Sequence, residues 1–390
     1  MTESVSLPAG AAQFESLLVV RLSAMGDIIH TLPAAAVLRQ AFPHAILGWL
    51  IEERWSELLC TRGDSGYGQR SPQRPLVDRV HAINIAQWRR HPFSLDAWQQ
   101  MGASLGQLRG VHYDAVIDFQ GAVRSALLAR WSRAKLVYGS AHPRERAATM
   151  FYTRSVPVNR NGSHVVEQAR ELARALVPTA TAPAMISAAL PEPQVEFPTD
   201  PDAENKIGAL VQGKNFAILN PGAGWGAKMW PSERYGEVAK QLAEDGISSL
   251  INYGPGEEGL AAAVEVASGG AAKKISSSIS ELISLTRRAR LLIGGDTGPL
   301  HLAAALKIPV VAIFGPTNPA RNGPFATQSV VLRSAGSTTD HTRHREPEQG
   351  LLEITVVEVV AAARMLLQNG MREQSSIQSR NSAVASRKIT

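Results

Sequence analysis

The chain has 390 residues, 44% of them hydrophobic and 19% charged, with a formal net charge of +6 and a pI near 9.6. That length exceeds one ordinary core and suits two domains, and the composition excludes a disordered chain. The basic excess favours an anionic partner such as a nucleotide, a phosphorylated substrate or an acidic membrane surface, and Cys60 alone excludes an intrachain disulfide and points to a reducing compartment.

From the start to Phe14 no basic region precedes an apolar core, so no signal peptide is expected, and residues 1–16 read as a flexible leader. Leu17 to Leu22 has the apolar run of a buried strand, broken at Ser23-Ala24-Met25-Gly26-Asp27 and followed by a helix from about Ile28 to Ala41. Strands are predicted at Ala45 to Ile51, Val80 to Ile83, Tyr113 to Phe119 and Lys135 to Tyr138. Helices are predicted at Glu52 to Leu59, Phe93 to Leu108, Gly121 to Arg130 and His164 to Leu176. Thr61 to Pro75, mixing glycine, proline, serine and arginine, reads as a long surface loop. A proline-rich stretch from Pro178 through Pro201 marks the domain boundary, within an expected linker over 186–212.

The second half restarts the alternation with strands at Phe216 to Leu219, Ile247 to Ile251, Leu291 to Ile293, Val310 to Phe314 and Val330 to Leu332. Helices are expected at Ser232 to Glu244, Glu257 to Ala267 and Ser280 to Ala289, with a terminal amphipathic helix from Thr355 to Leu367, within 351–369, that suits either domain. Residues 370–390 are polar and serine-rich and read as a mobile tail. Strand–helix alternation with short turns predicts parallel sheets covered on both faces: an α/β chain of two domains, 17–185 and 213–350, with sites facing a cleft between them. No apolar run is long enough to span a bilayer, and no nucleic-acid reader module is recognisable.

Three stretches carry candidate chemistry. Leu291 to Ala305 runs from a strand through Gly294-Gly295-Asp296 into a helix beginning near Thr297 or Gly298, a place where free N–H groups suit a phosphate. Asn220 to Pro231 places Gly222, Gly224 and Gly226 just before Lys228 and reads either as an anion cradle or as a glycine-rich surface turn. Gly254-Pro255-Gly256-Glu257-Glu258 has the same placement, its acids reading as first-turn residues. Asp27 reads either as a helix cap or as a carboxylate able to take a proton from a hydroxyl, with burial as the means of raising its basicity. The spacing around Gly26 fits no dinucleotide fingerprint, no Walker A lysine or nucleophile elbow occurs, and no histidine pair has metal-ligand spacing. His341 and His344 fall in a polar loop.

Arg21-Leu22-Ser23-Ala24-Met25-Gly26-Asp27-Ile28-Ile29-His30-Thr31-Leu32-Pro33 and the Gly294-to-His301 segment resemble the two signature regions of glycosyltransferase family 9, the lipopolysaccharide heptosyltransferases. The likeness continues through Val116 to Gly121, Lys228-Met229-Trp230-Pro231 and Phe314-Gly315-Pro316-Thr317, and covers most of residues 17–367. Ile51-Glu52-Glu53, Trp88-Arg89-Arg90 and the Arg146-to-Arg154 segment are most similar to the type I branch.

The resemblance implies a GT-B fold of two Rossmann-like domains, acceptor on the first and nucleotide sugar on the second. It implies inverting transfer of L-glycero-D-manno-heptose from ADP-heptose to 3-deoxy-D-manno-octulosonic acid on lipid A, with no cofactor and no metal. Asp27 then resembles the general base, Lys228 the donor-phosphate lysine and Asp296 the acid on donor-sugar hydroxyls. Gly222, Thr297, Gly298, His301, Pro316 and Thr317 complete the expected donor site. Met25, Gly26, Arg89, Arg90, Gln120, Arg124 and Arg146 form the expected site for an anionic, lipid-linked acceptor. A monomer on the cytoplasmic face of the inner membrane, contacting its surface peripherally, is expected. Where type I enzymes place a threonine pair before the lysine, Ala223 and Gly224 stand here, so phosphate contacts are expected from backbone alone. Thr61 to Pro75 looks like an insertion, and Gly336 to Gln349 departs from the family pattern. A different nucleotide sugar, a later core heptose acceptor, and a non-catalytic nucleotide-binding protein are the alternatives.

Overall fold

The computed structural model describes residues 14–90, 94–177, 195–340, 342 and 344–370. The leader up to residue 13, the proline-rich stretch 178–194, His341 and the tail from residue 371 lie outside the described residues. The chain divides after Asp200 into two compact units.

In the first unit six strands form one parallel sheet: Ser16–Val20 (β1), Ile46–Glu52 (β2), Arg79–Ile83 (β3), Ala115–Asp118 (β4), Leu136–Ser140 (β5) and Arg154–Val156 (β6). Their order is β3-β2-β1-β4-β5-β6. The helices are Met25–Ala41 (α1), Ile85–Arg90 (α2), Leu95–Gly110 (α3), Val123–Trp131 (α4) and Val165–Arg174 (α5). All of β1 is buried, because a parallel strand covered on both faces must be apolar almost throughout. α1 starts at Met25, before the apolar pattern suggests, so Pro33 lies inside the helix rather than in its first turn. Pro33 withholds one N–H from the helical ladder, and α1 continues to Ala41 because its buried face packs on α5.

The Thr61-to-Pro75 segment is largely exposed and without helix or extended strand, as a surface loop is. It folds around Arg74, which is 1% exposed. Arg74 Nη1 lies 2.8 Å from Asp64 Oδ1, its Nη2 donates to the Gln69 carbonyl and its Nε to that of Val77. A buried guanidinium needs that many acceptors, and a loop composition cannot reveal them.

The second unit repeats the plan with Phe216–Asn220 (β7), Ser248–Tyr253 (β8), Ala272–Ser276 (β9), Leu291–Gly295 (β10), Val310–Ile313 (β11) and Ser329–Leu332 (β12). All pairings are parallel, in the order β12-β11-β10-β7-β8-β9. Read from its other edge, this is the 3-2-1-4-5-6 order of the first sheet, so both units are Rossmann-like. Its helices are Pro201–Val211 (α6), Ser232–Glu244 (α7), Glu258–Ala267 (α8), Ile279–Arg288 (α9), Gly298–Ala305 (α10), Pro319–Asn322 (α11), Gln349–Glu353 (α12) and 356–370 (α13). α6 falls within the span expected to be linker, and buries Ile207 and Val211 in the core of this unit.

The expected terminal helix forms over 356–370, the second of two helices at the end of the described residues, after α12. Thr355 restarts the second with a capping box, its N–H donating to Glu358 Oε2 at 2.8 Å while the Glu358 N–H donates to Thr355 Oγ1 at 3.3 Å. α13 buries Val359, Val360, Ala363 and Leu366 in the same core as Trp230, which assigns it to the second unit. β6 and β9 escape a sequence reading because they are short edge strands with largely exposed residues.

In β3, His81 is 4% exposed, with Nε2 2.8 Å from the Tyr113 hydroxyl. Burial first, and the Arg79 cation second, push its pKa down from 6.5 to about 4. Between those values the unfolded chain binds a proton that the native state refuses, so stability falls as pH drops from 6.5 toward 4. His81→Gln keeps a hydrogen-bonding group without the titration. Urea unfolding at pH 7 and pH 5 should show the wild type losing about 2 kcal/mol more than His81→Gln over that interval; equal losses would refute the assignment.

Candidate functional site

Strand order reverses beside β1 and β4 in the first sheet and beside β7 and β10 in the second. Connections leave those strands toward opposite faces, which opens a crevice at their carboxyl ends, the usual ligand position in open α/β sheets. Asp27 and Gln120 lie at the ends of those strands in the first unit, and Lys228 and Asp296 in the second.

In the second unit, the turn after β7 ends in the short 3-10 helix Gly226–Lys228, and Asp296 follows β10 directly. Lys228 Nζ donates to Asp296 Oδ2 at 2.6 Å and to the Asp296 carbonyl at 3.3 Å. His301, in the first turn of α10, places Nε2 3.0 Å from Asp296 Oδ1. The Lys228 and Asp296 side chains are 14% and 8% exposed. Burial alone would push the Asp296 carboxyl up, but His301 and Lys228 overcome it and hold the group well below the ordinary carboxylate range. Lys228 Nζ also lies 4.7 Å from the centre of the Trp225 ring.

Thr297 is the N-cap of α10, but its side chain caps no N–H, and Pro299 follows Gly298 in the first turn. The amide of Gly298 and the positive end of the helix are therefore available to an anion. The Thr297 hydroxyl donates to the Gly295 carbonyl at 3.3 Å and accepts from Asn220 Nδ2 at 3.2 Å. His301 is 5% exposed, with its Nε2 engaged by Asp296. Thr317 is 2% exposed and its hydroxyl has no partner among the described residues, while the Pro316 carbonyl accepts from the Asp340 N–H at 2.9 Å.

Gly222 does not line a purely cationic cradle. A Cβ there would sit 2.3 Å from Glu257 Oε1, so the glycine makes room for a carboxylate. Glu257 precedes α8 as its N-cap residue, and its Oε2 accepts from the Gly254 N–H at 2.9 Å. A carboxylate at that point repels phosphate and accepts hydrogen bonds from hydroxyls. A sequence reading takes Glu257 for a first-turn acid; its place after Gly-Pro-Gly at the end of β8 was the available signal. The segment that departs from the family pattern is fastened over the Lys228 turn, the Ala227 N–H donating to the His344 carbonyl and the Glu348 N–H to that of Ala227.

In the first unit, Asp27 is the third residue of α1 and not the N-cap, which is Ala24. Its Oδ2 accepts from the Ala24 N–H at 3.3 Å and lies 2.8 Å from Arg21 Nη2. The side chain is 49% exposed, not buried as a desolvated base would be. Arg21 Nη1 donates to the Phe119 carbonyl at 2.5 Å and Gln120 Oε1 accepts from the Leu22 N–H at 2.9 Å, so Arg21 and Gln120 tie the ends of β1 and β4 together. Met25 is buried at the start of α1, with Gly26 beside it. Asp118, 1% exposed, accepts from Ser125 Oγ, Tyr152 Oη and the Gln120 and Gly121 amides, which makes it the brace of the β4 turn.

Arg124 and Arg146 are both exposed and share one end of α4, where Glu145 accepts from the Val123 N–H at 2.8 Å. Arg90 is exposed at the end of α2, after the edge strand β3, and no hydrogen bond or ion pair among the described residues joins it to Asp27; the side chain of Arg89 lies outside the described residues. A separate cavity of about 1240 Å³ lies at the opposite end of the second sheet, lined by Phe216, Ile308, Arg287, Arg288 and Lys307. Arg287 and Arg288 there belong to the last turn of α9, where cations balance the helix dipole.

The glycosyltransferase family 9 (heptosyltransferase) model matches residues 102–352. The lipopolysaccharide heptosyltransferase 1 of Pseudomonas aeruginosa is 31% identical over 82% of this chain and 83% of its own length. The solved structure of E. coli heptosyltransferase WaaC with ADP is 26% identical, with a TM-score of 0.69, and the match covers 90% of this chain and 99% of that one. WaaC with ADP-2-deoxy-2-fluoro heptose is likewise 26% identical, with a TM-score of 0.67 and coverage of 91% and 99%.

Asp296→Asn removes the carboxylate charge that compensates Lys228 in a nearly closed setting. Urea unfolding at pH 7 should show a loss of about 3 kcal/mol, the usual cost of stranding a buried ion; a variant as stable as the wild type would show that the pair is solvated and dispensable.

Proposed function

The chain belongs to glycosyltransferase family 9 and is a heptosyltransferase, and from that premise we propose how its two sites divide the reaction. The donor is ADP-heptose, bound on the second unit, and the acceptor is the 3-deoxy-D-manno-octulosonic acid of the lipopolysaccharide inner core, bound on the first. The type I relative and the WaaC complexes with ADP and with a fluorinated ADP-heptose support this reading. The observation that carries it is the Lys228–Asp296 pair beside the uncapped start of α10.

The diphosphate lies against the Gly298 amide and Lys228, which share its charge with the helix dipole. Asp296 holds Lys228 in place and offers its remaining lone pairs to sugar hydroxyls; Glu257 accepts from hydroxyls of the nucleoside. The acceptor oxygen forms its bond to the anomeric carbon as the bond from that carbon to the diphosphate breaks on the opposite face, so configuration inverts and ADP leaves. Asp27 takes the acceptor proton, and Arg21 orients the carboxylate for that step. Arg124 and Arg146, with Arg90 farther off, meet anionic groups of the acceptor. Among the described residues no helix is long and apolar enough to cross a membrane. The lipid-linked acceptor and the exposed arginines favour peripheral contact with the cytoplasmic face of the inner membrane.

Asp27→Asn should lower kcat about 10²-fold or more, the usual contribution of a general base, while ADP affinity measured by calorimetry stays at the wild-type value. Lys228→Ala should do the reverse first, weakening ADP. Full turnover of Asp27→Asn would remove the proposed base, and preference of the wild type for a UDP- or GDP-sugar would remove the donor.

A further inference from the structure

The second sheet has a polar layer at the top of one face. Side chains two apart on a strand share a face, and Ile218, Leu250, Ile275 and Leu292 all pack in one core. Two residues further on stand Asn220, Asn252, Ser277 and Gly294. Asn220 and Asn252 are 4% and 5% exposed. Ser277 Oγ donates to Asn252 Oδ1 at 3.0 Å, Asn252 Nδ2 donates to Asn220 Oδ1 at 2.8 Å, and Asn220 Nδ2 donates to the Gly222 carbonyl and to Thr297 Oγ1, both at 3.2 Å. The chain of bonds crosses from the end of β9 through β8 and β7 to the loop after β10. Gly294 leaves it room, since a Cβ there would lie 3.0 Å from the Asn220 carbonyl oxygen.

The bonds all run in one sense. An amide has one donating end and one accepting end, so whichever end Asn252 presents decides which end Asn220 presents to its own far side. The Gly222 carbonyl can only accept, so it takes Asn220 Nδ2 and leaves Asn220 Oδ1 to Asn252 Nδ2, while the Ser277 hydroxyl, able to donate or accept, donates to Asn252 Oδ1. Asn220 Nδ2 thus reaches two acceptors, one on each loop of the donor site. The Gly222 turn and the Thr297 cap are thus held by a single nitrogen.

We propose that Asn252, with Asn220, is a positioning residue for the donor: the Ser277–Asn252–Asn220 relay sets the Gly222 turn and the Thr297 cap of α10 at one spacing, ready for a nucleoside diphosphate. The inference rests on the donor-site reading above. The Asn252 side chain bonds to Ser277 and Asn220, and its effect on the Gly222 turn and the Thr297 cap passes through Asn220. A carboxylate in its place cannot donate to Asn220 Oδ1; Asn220 must turn its amide over and present oxygen to the Gly222 carbonyl, and two acceptors repel.

The test is Asn252→Asp in the full-length chain, with ADP as the probe. The Kd for ADP and the KM for the donor should rise together about tenfold, which corresponds to about 1.4 kcal/mol, while the acceptor KM and the kcat at saturating donor hold and far-UV circular dichroism is unchanged. Combined with Thr297→Val, the losses should be less than multiplicative, because both changes cut the same path. If Asn252→Asp does not fold, Ser277→Ala, which removes only the first donor of the relay, should raise the ADP Kd about threefold. Wild-type ADP affinity in folded Asn252→Asp, or in Ser277→Ala, would overturn the proposal, as would strictly multiplicative losses. Failure of the wild type itself to bind ADP would instead strike the donor-site reading.

Discussion

A lysine and an aspartate held 2.6 Å apart and nearly out of solvent are the constraint on which the second unit depends. Neither charge tolerates that burial alone, since desolvation costs several kcal/mol per ion. Their union therefore fixes the turn after β7 against the turn after β10, the two strands at which the sheet changes direction. His301 completes the arrangement by occupying the other carboxylate oxygen. What remains open is the start of α10, whose amides face the same place with no side-chain cap. The proposed diphosphate site follows from the way the protein balances its own charges.

The first unit has the same strand order and a different solution at the equivalent position. After β1 stands an acid that is half exposed and paired to Arg21, and after β4 stands Asp118, wholly buried and spent on bracing the turn. Burial pushes the Asp118 carboxyl up against the lowering effect of the Tyr152, Ser125 and backbone donors, as befits a structural group. The first acid is reachable from solvent, and the second is not. One topology thus provides an anchoring pair in one unit and a reachable carboxylate in the other, and the difference lies in which acid the surrounding donors enclose.

Much of this was legible in the sequence. Alternating strand and helix signals reveal the parallel sheets, because central strands such as β1, β7 and β10 carry unbroken apolar runs. The strand–Gly-Gly-Asp–helix pattern locates Asp296 and the start of α10, and the glycines before Lys228 locate its turn. Other features were not legible. β6 and β9 lie at sheet edges and lack the apolar signal. Arg74 anchors the 61–75 loop through acceptors that only the folded backbone supplies. Glu257 and Asn220 look like a first-turn acid and a strand end until Gly222 and Thr297 are seen beside them.

The order of residues along the chain determined the fold class, the strand ends that carry chemistry and the identities of Asp27, Lys228 and Asp296, because periodicity and turn chemistry act between near neighbours. Tertiary structure alone decided what those groups meet. Lys228 and Asp296 are 68 positions apart, Asn220 and Thr297 77, and Leu22 and Gln120 98. Burial and hydrogen bonding between such distant residues set which carboxylate is anchored, which is reachable and which helix end stays open, and no local pattern encodes a partner that far away.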